Sequence, residues 1–275
     1  MGQAAMLIPA SAAALTPSDT GAYLYRQNNL WLSQDNGDGA RQVTTGGGFT
    51  DIVWSPDGSR IAMIGPYGGG VGVYLTAPDA AFGLRGLAAG HNPAWAPDST
   101  RVALIDGGNV HIFDREGVYE RTVSVGADVV RWSSDGRSVG FTRVLDDPYG
   151  TGCPVREIGW LDALSGDNAT VARSSGKFAW TGDGRRLLYV SADDGTVRSY
   201  DIATGQALVL SSRLANPCNG PFFTDVDGRR LFFLESGGDD LVALDVNTLE
   251  TQVFPDLPVG YPANALPESY VTVDT

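Results

Sequence analysis

Short apolar segments recur along the chain at nearly even intervals, with polar turns between them. Four are almost unbroken apolar runs, as expected for strands covered on both faces: residues 60–64, 101–105, 186–190 and 230–234. Segments of more alternating character follow and end in an aspartate, at Asp114, Asp162, Asp201 and Asp245. The pattern predicts many short strands joined by tight turns. We interpret the recurring aspartates as turn-capping side chains.

A tryptophan motif comes before the apolar runs. Trp54-Ser-Pro-Asp-Gly recurs with variations at Trp95, Trp132 and Trp180, and a fifth copy at Thr224 lacks the tryptophan. The motif aspartates are spaced 41, 37, 48 and 44 residues apart, at Asp57, Asp98, Asp135, Asp183 and Asp227. Proline and glycine in this motif suit a hairpin turn, and the tryptophan is expected to fill the space between neighbouring sheets. The spacing is typical of the blades of a β-propeller.

A degenerate copy of the motif at Leu15 brings the number of repeats to six. The sequence therefore predicts an all-β fold, a six-bladed β-propeller of four-stranded antiparallel blades. Residues 15–275 are predicted to form this single domain, with a secretory leader remnant or a linker in residues 1–14. The alternating segment Ser269–Val273 could complete the first blade or lie across the last one.

The repeat resembles the one that defines the TolB-type propeller family. The resemblance covers about six blades and implies a propeller that binds protein partners in the cell envelope, often a peptide at the wide end of the central channel. TolB carries a globular domain ahead of its propeller, whereas the first repeat begins here at Leu15. Similar repeats form the propeller half of prolyl-oligopeptidase-like peptidases, whose catalytic α/β-hydrolase domain has no counterpart in this sequence.

Charge and composition narrow the expected partners. The formal net charge is -13 and the sequence pI is about 4.4, so the protein repels phosphate backbones and anionic lipid headgroups. Neither nucleic acid nor a membrane surface is therefore an expected partner. No apolar run approaches the ~18 residues that a membrane-spanning helix needs. We expect a monomer located outside the cytoplasm: periplasmic, secreted or membrane-anchored.

Catalytic motifs are weak in this sequence. Gly136-Arg-Ser138-Val-Gly140 matches a hydrolase pattern, but it lies inside a predicted hairpin, where a nucleophile elbow would require a helix after the serine. Asp35 and Asp38 could suggest calcium, although a turn explains them better. Two histidines, His91 and His111, are too few for a multi-histidine metal centre. No residue is assigned a catalytic role, and calcium is the one cofactor left open.

Features that occur in single blades are better candidates for function than features that build every blade. Three stand out: the glycine-rich segment 65–72, the insertion 146–154 and the segment 214–220. All three are predicted in loops on one face, since loops joining second to third strands and loops joining successive blades emerge together. Adjacent acidic pairs are predicted on the same face. The candidate binding residues are Phe49, Tyr67, His91, Asp146, Asp147, Tyr149, Asp193, Asp194, Asp239 and Asp240.

The two cysteines, Cys153 and Cys218, lie in long predicted loops on that face. We predict that they form a disulfide, because paired cysteines are usual in proteins outside the cytoplasm. Two buried free thiols are the alternative.

Three hypotheses on function follow. The first is a non-catalytic binding module that recognises a protein or peptide on its loop-rich acidic face. The second is a propeller lyase or hydrolase with a site at the channel mouth, assisted by calcium. The third is the non-catalytic propeller of a larger membrane-anchored or multidomain protein.

Overall fold

The computed structural model describes residues 20–34, 39–78, 82–146, 155–216, 220–237 and 240–255. These residues form antiparallel strands arranged in five sheets. They fall into two compact units, one ending at Ser124 and the other beginning at Val125. Among the described residues no helix is long and apolar enough to span a membrane.

The first unit contains one three-stranded sheet and two four-stranded sheets. The strands of the first sheet are β1 (Thr20–Tyr25), β2 (Asn29–Gln34) and β3 (Arg41–Gln42). Those of the second are β4 (Thr50–Trp54), β5 (Ile61–Tyr67), β6 (Gly70–Thr76) and β7 (Arg85–Ala89). Those of the third are β8 (His91–Trp95), β9 (Arg101–Asp106), β10 (Asn109–Asp114) and β11 (Tyr119–Ser124).

The second unit contains a seven-stranded sheet and a four-stranded sheet, and strands pair in chain order in both. The seven-stranded sheet begins with β12 (Val129–Trp132), β13 (Ser138–Asp146), β14 (Val155–Asp162) and β15 (Asn168–Trp180). It continues with β16 (Arg186–Ser191), β17 (Thr196–Asp201) and β18 (Gln206–Leu214). The last sheet consists of β19 (Phe222–Thr224), β20 (Arg230–Leu234), β21 (Leu241–Asp245) and β22 (Thr251–Phe254).

The predicted apolar runs become the second strands of the sheets, and their side chains form the core. In the first unit, Ala62 and Leu75 pack between sheets against Trp95 and Leu104. In the second unit, Leu188 and other residues of the seven-stranded sheet pack against Leu231 and Phe233 of the last sheet. Apolar side chains on both faces of these strands explain the unbroken runs.

Trp54 and Trp95 fill the space between neighbouring sheets, as predicted, and Trp180 packs between the two halves of the seven-stranded sheet. Trp95 and Trp180 also form hydrogen bonds there, whereas no partner is found for Trp54 Nε1 among the described residues. Trp95 donates from Nε1 to the Val53 carbonyl at 3.2 Å, and Trp180 donates to the Arg131 carbonyl at the same distance. In the copy without tryptophan, Thr224 donates from Oγ1 to the Trp180 carbonyl at 3.2 Å. Threonine therefore retains a hydrogen bond between sheets where the large ring is missing.

The recurring aspartates cap turns, as predicted. The Asp201 carboxylate accepts the Ala203 and Thr204 amides at 2.9 Å, and Asp245 accepts the amides of residues 247 and 248 in the same way. Donation from these amides lowers the pKa of both carboxyl groups. A different turn, the hairpin between β19 and β20 in the tryptophan-free copy, is capped by Asp225, which accepts the Arg229 amide at 2.8 Å.

Candidate functional site

The glycine-rich segment 65–72 was predicted in a loop between second and third strands, but most of it belongs to the two strands of a hairpin, β5 and β6. Only Gly68 and Gly69 lie between β5 and β6, and both have positive φ, 55° and 88°. Positive φ at both central residues is what a tight two-residue hairpin turn requires.

Other glycines of this hairpin make room for aromatic rings. A Cβ on Gly72 would lie 2.6 Å from Tyr67 Cβ and from the Ala88 carbonyl oxygen, and a Cβ on Gly65 would lie 2.6 Å from the Phe49 ring. Tyr67 therefore lies against the strand backbone, and Phe49 fills the space beside Gly65. No periodicity in the sequence reveals this contact, because it depends on the register between strands.

Three rings pack edge to face in a row. The Phe49 and Tyr74 centroids are 5.5 Å apart at an interplanar angle of 76°, and the Tyr67 and Tyr74 centroids are 6.0 Å apart at 69°. Both geometries are favourable for aromatic pairs. Tyr74 also donates its hydroxyl to the Pro66 carbonyl. The row runs from Phe49, which is 4% exposed, to Tyr67, which is 37% exposed.

Val71 and His91 are connected to this hairpin through the backbone. Val71 is 54% exposed, and its carbonyl accepts the Gly90 amide at 3.2 Å. His91 follows as the first residue of β8, in a strand and not in the predicted loop, and it is exposed. We call this group the aromatic rim: Phe49, Tyr67, Val71, Tyr74 and His91. The structure thus brings Phe49 and Tyr67 together through Tyr74, and His91 comes directly after the residue that bonds to Val71. Phe49 supports the surface and does not reach it.

The acidic pair Asp193–Asp194 lies in the turn between β16 and β17, as predicted. Asp194 accepts hydrogen bonds from the Thr196 hydroxyl and amide at 2.7 Å and 3.1 Å, and from Arg198 at 2.6 Å. These donors, led by the Thr196 hydroxyl, hold the pKa of Asp194 far below its usual range. Asp193 lies 3.5 Å from an Arg173 guanidinium nitrogen. Each carboxylate therefore already has a cationic neighbour.

The other acidic candidates are only partly within the described residues. Asp240 is half-buried, and its carbonyl accepts the Glu235 amide at 3.0 Å. Asp146 ends β13, where its backbone pairs with Val155. Its side chain lies outside the described part of the structure, as do Asp147, Tyr149, Asp239, both cysteines, Asp35 and Asp38.

Further ion pairs lie at the same end of the strands in the second unit. We call the group the ionic rim, and its five pairs are Asp128–Arg156, Glu157–Arg143, Asp193–Arg173, Asp194–Arg198 and Glu235–Arg213. They join ends of second and third strands to neighbouring segments. Four of the pairs join residues that are far apart in the sequence, so no residue pattern indicates them. The fifth, Asp194–Arg198, joins residues four positions apart.

Lys177, the single lysine of the chain, lies in the same region. It occupies an irregular stretch of β15, where the register shifts between Ser174 and Phe178. Its Nζ donates to the Asn216 carbonyl at 3.0 Å and to the Gly220 carbonyl at 2.9 Å. Burial lowers the pKa of the Lys177 ammonium to about 8. The only feature of the sequence that distinguishes Lys177 is that every other basic residue except the two histidines is an arginine.

The hydrolase-like motif is part of a hairpin. Ser138 begins β13, is 3% exposed, and donates its amide to Ser133 Oγ at 2.9 Å. A strand follows it where a nucleophile elbow would need a helix. Within the described ranges, no group of three or more His, Cys, Asp or Glu side chains is placed to hold a metal ion.

Solved structures share this fold. The β-propeller domain of the trilobed protease from Pyrococcus furiosus is 12% identical with a TM-score of 0.56, and the match covers 86% of this chain and 80% of that one. An oligogalacturonate lyase in complex with manganese is 12% identical with a TM-score of 0.55, and the match covers 87% and 74%. The chain therefore has a β-propeller fold, which confirms the predicted architecture at this level.

The structural neighbours also include TolB from Acinetobacter baumannii, at 18% identity and a TM-score of 0.47. That match covers 87% of this chain and spans 65% of the length of TolB. No family model matches the sequence, and no curated protein matches it.

Proposed function

We propose that this chain is a non-catalytic binding module, a six-bladed propeller that recognises a protein or peptide at the loop-rich ends of its blades. The observation that carries the proposal is the aromatic rim, where an exposed tyrosine is held in place by rings and glycines. The acidic candidates outside the described residues are proposed to contribute negative charge to binding.

Six blades are inferred from the way in which β15 pairs. Residues 168–174 of β15 pair with β14, and Ser174 and residues 178–180 pair with β16. The seven-stranded sheet can therefore be counted as two four-stranded blades that share one continuous strand. With the other four sheets this gives six blades, in agreement with the six sequence repeats.

The aromatic rim suits recognition of a partner because its exposed ring is already ordered. Tyr67 rests on Gly72 and against Tyr74, so binding would immobilise few additional rotamers. Tyrosine is enriched among the residues that dominate binding energy at protein interfaces. Val71 adds exposed apolar surface, and His91 adds a polar group.

A display selection tests the proposal. Random peptides would be selected on the folded protein, and each enriched peptide would then be measured against Tyr67→Ala. We expect at least a tenfold loss of affinity, because truncation of a hot-spot residue costs about 2 kcal/mol. Tyr119→Ala is the matched control, since Tyr119 is also exposed and packs edge to face on Phe113 at 5.7 Å. Equal losses in the two variants, or none in either, would reject the aromatic rim as the site.

The cell envelope is the proposed location, and a monomer is the proposed state. The proposed Cys153–Cys218 disulfide suits an oxidising compartment. Labelling of free thiols in the unfolded, unreduced protein should find none. Two reactive thiols would rule the disulfide out.

An enzyme is the second candidate, favoured by Lys177. An amine with a pKa of about 8 titrates close to neutral pH, as required of a general base. One structural neighbour is named as a lyase in complex with manganese. Thermal unfolding measured with manganese, with calcium and with a chelator tests for a metal-dependent site. A midpoint that no metal changes would weigh against a metal-assisted enzyme.

A further inference from the structure

Strand β18 is the outermost strand of the seven-stranded sheet and pairs with β17 alone among the described strands. Its residues 206–209 are all exposed, including Leu208 at 61% and Val209 at 53%. The segment Gln206–Ser212 contains no charged residue. Outer strands usually carry charges that prevent pairing with other chains. Outer strand β11 has such charges, Glu120 and Arg121, whereas this segment of β18, like the shorter outer strand β22, has none and is open to strand addition.

A groove of about 410 Å³ lies beside this edge. Ser199 pairs with Leu208 and Asp201 with Gln206, and all four residues line the groove, so it follows one face of the sheet. Arg185 and Arg186 line it as well. In an added strand, every second side chain would point to this face and enter the groove.

Arg185 gives the groove its chemical preference. Among the described residues, no hydrogen bond or ion pair of its guanidinium is found, whereas Arg186 donates to Asn247 Oδ1 at 2.8 Å. Two carboxylates, Asp183 and Asp201, lie nearby, and the charge of Arg185 contributes to the lowered pKa of both. Their hydrogen bonds come from other donors: Asp183 accepts the Thr181 hydroxyl and the Arg185 amide, and Asp201 accepts two turn amides. Arg185 is exposed and has donors to offer. A carboxylate is the complementary group, because arginine binds carboxylates through paired, charge-assisted hydrogen bonds.

We propose that β18 binds an extended peptide segment by strand addition, and that an acidic side chain of this segment enters the groove and pairs with Arg185. Main-chain hydrogen bonds to β18 supply affinity, and Arg185 selects the acidic residue. Leu208 and Val209 provide apolar contacts on the two faces of the extended sheet. This surface lies in the second unit and does not depend on the aromatic rim, so either proposal can fail without the other.

The probe is a short fluorescein-labelled peptide in which valine and threonine alternate around one central glutamate, measured by fluorescence anisotropy. Replacement of the glutamate with glutamine, or Arg185→Glu in the protein, should weaken binding roughly tenfold or more, as expected for loss of a charge-assisted hydrogen bond. A lysine-centred peptide should regain binding to Arg185→Glu. N-methylation of alternate peptide amides should abolish binding, because it blocks main-chain pairing.

Arg137→Glu is the matched control. Arg137 occupies the corresponding turn position of the preceding repeat, and its side chain is 81% exposed. The Arg137→Glu variant should bind the glutamate peptide with the same affinity as the unmodified protein. Hydrogen exchange should show new protection in residues 206–212 when the peptide is bound. The proposal is overturned if Arg185→Glu and Arg137→Glu behave alike, if the N-methylated peptide still binds, or if sedimentation shows that a second copy of the chain covers β18.

Discussion

The aromatic rim and the ionic rim occupy comparable places in the two units, where second and third strands meet, yet they are built in opposite ways. The aromatic rim places an apolar ring on glycine and leaves part of it exposed. The ionic rim places each described carboxylate beside a guanidinium, so most of its charge is neutralised internally. Density of charged residues is therefore a poor guide to binding here. A side chain such as Tyr67, which is held in place by its neighbours but keeps an exposed face, is a better guide to a binding site.

The largest expected effect comes from adding a methyl group at Gly72, where the Tyr67 side chain packs against the strand. Gly72→Ala should lower the free energy of unfolding by about 2 kcal/mol, because its Cβ would collide with a backbone carbonyl that cannot move freely. Gly70→Ala is the control, since its nearest contact would be an ordinary 3.8 Å to the Tyr67 carbonyl oxygen. Urea denaturation compares the two. Similar losses in both variants would mean that glycine at position 72 is not required for packing.

Lys177, a partly buried cation of the second unit that is not part of the ionic rim, allows a test by pH. Its folded pKa of about 8 lies below the ordinary unfolded value of about 10.4, so between these values the unfolded chain binds more protons. The free energy of unfolding should therefore rise as pH increases through this window, by less than about 1 kcal/mol after allowance for solvent screening. Urea denaturation at about pH 8 and about pH 10 measures it. Lys177→Met should not show this contribution, and an identical rise in the variant would contradict the assignment.

The smallest expected effect concerns a single ion pair. Arg198→Ala should cost about 0.5 kcal/mol at low salt, because the side chains of Arg198 and Asp194 are 31% and 43% exposed. The ion-pair part of this cost should nearly disappear at about 1 M salt, where screening acts within about 3 Å, and the part that stays includes the hydrogen bonds of Arg198 to Thr196 and Tyr189. Arg137→Ala, with its nearest carboxylate oxygen at 4.0 Å, should have no effect. A salt-independent loss for Arg198→Ala would indicate packing by the arginine stem and not charge pairing.

The sequence predicts local features well. The turn aspartates and the tryptophans between sheets depend on residues close together in one repeat, and both predictions are confirmed. Gly65 and Gly72 were misinterpreted because glycine is common in loops, while their role depends on rings contributed by Phe49 and Tyr67. The Asp193–Arg173 contact joins residues on either side of an irregular strand pairing, which no residue pattern specifies. The groove beside Leu208 also depends on which strand ends the sheet.

Strand β15 has a consequence for how the second unit loses its structure. Because one continuous strand belongs to two successive sheet segments, fraying on one side withdraws a pairing partner from the other. Strands β13 to β17 should therefore open as one cooperative unit, with amide protection shared across both segments. In the first unit none of the described strands joins two sheets, so the sheets are coupled through the side chains packed between them. Kinetic resistance to proteolysis is accordingly expected to concentrate around β15.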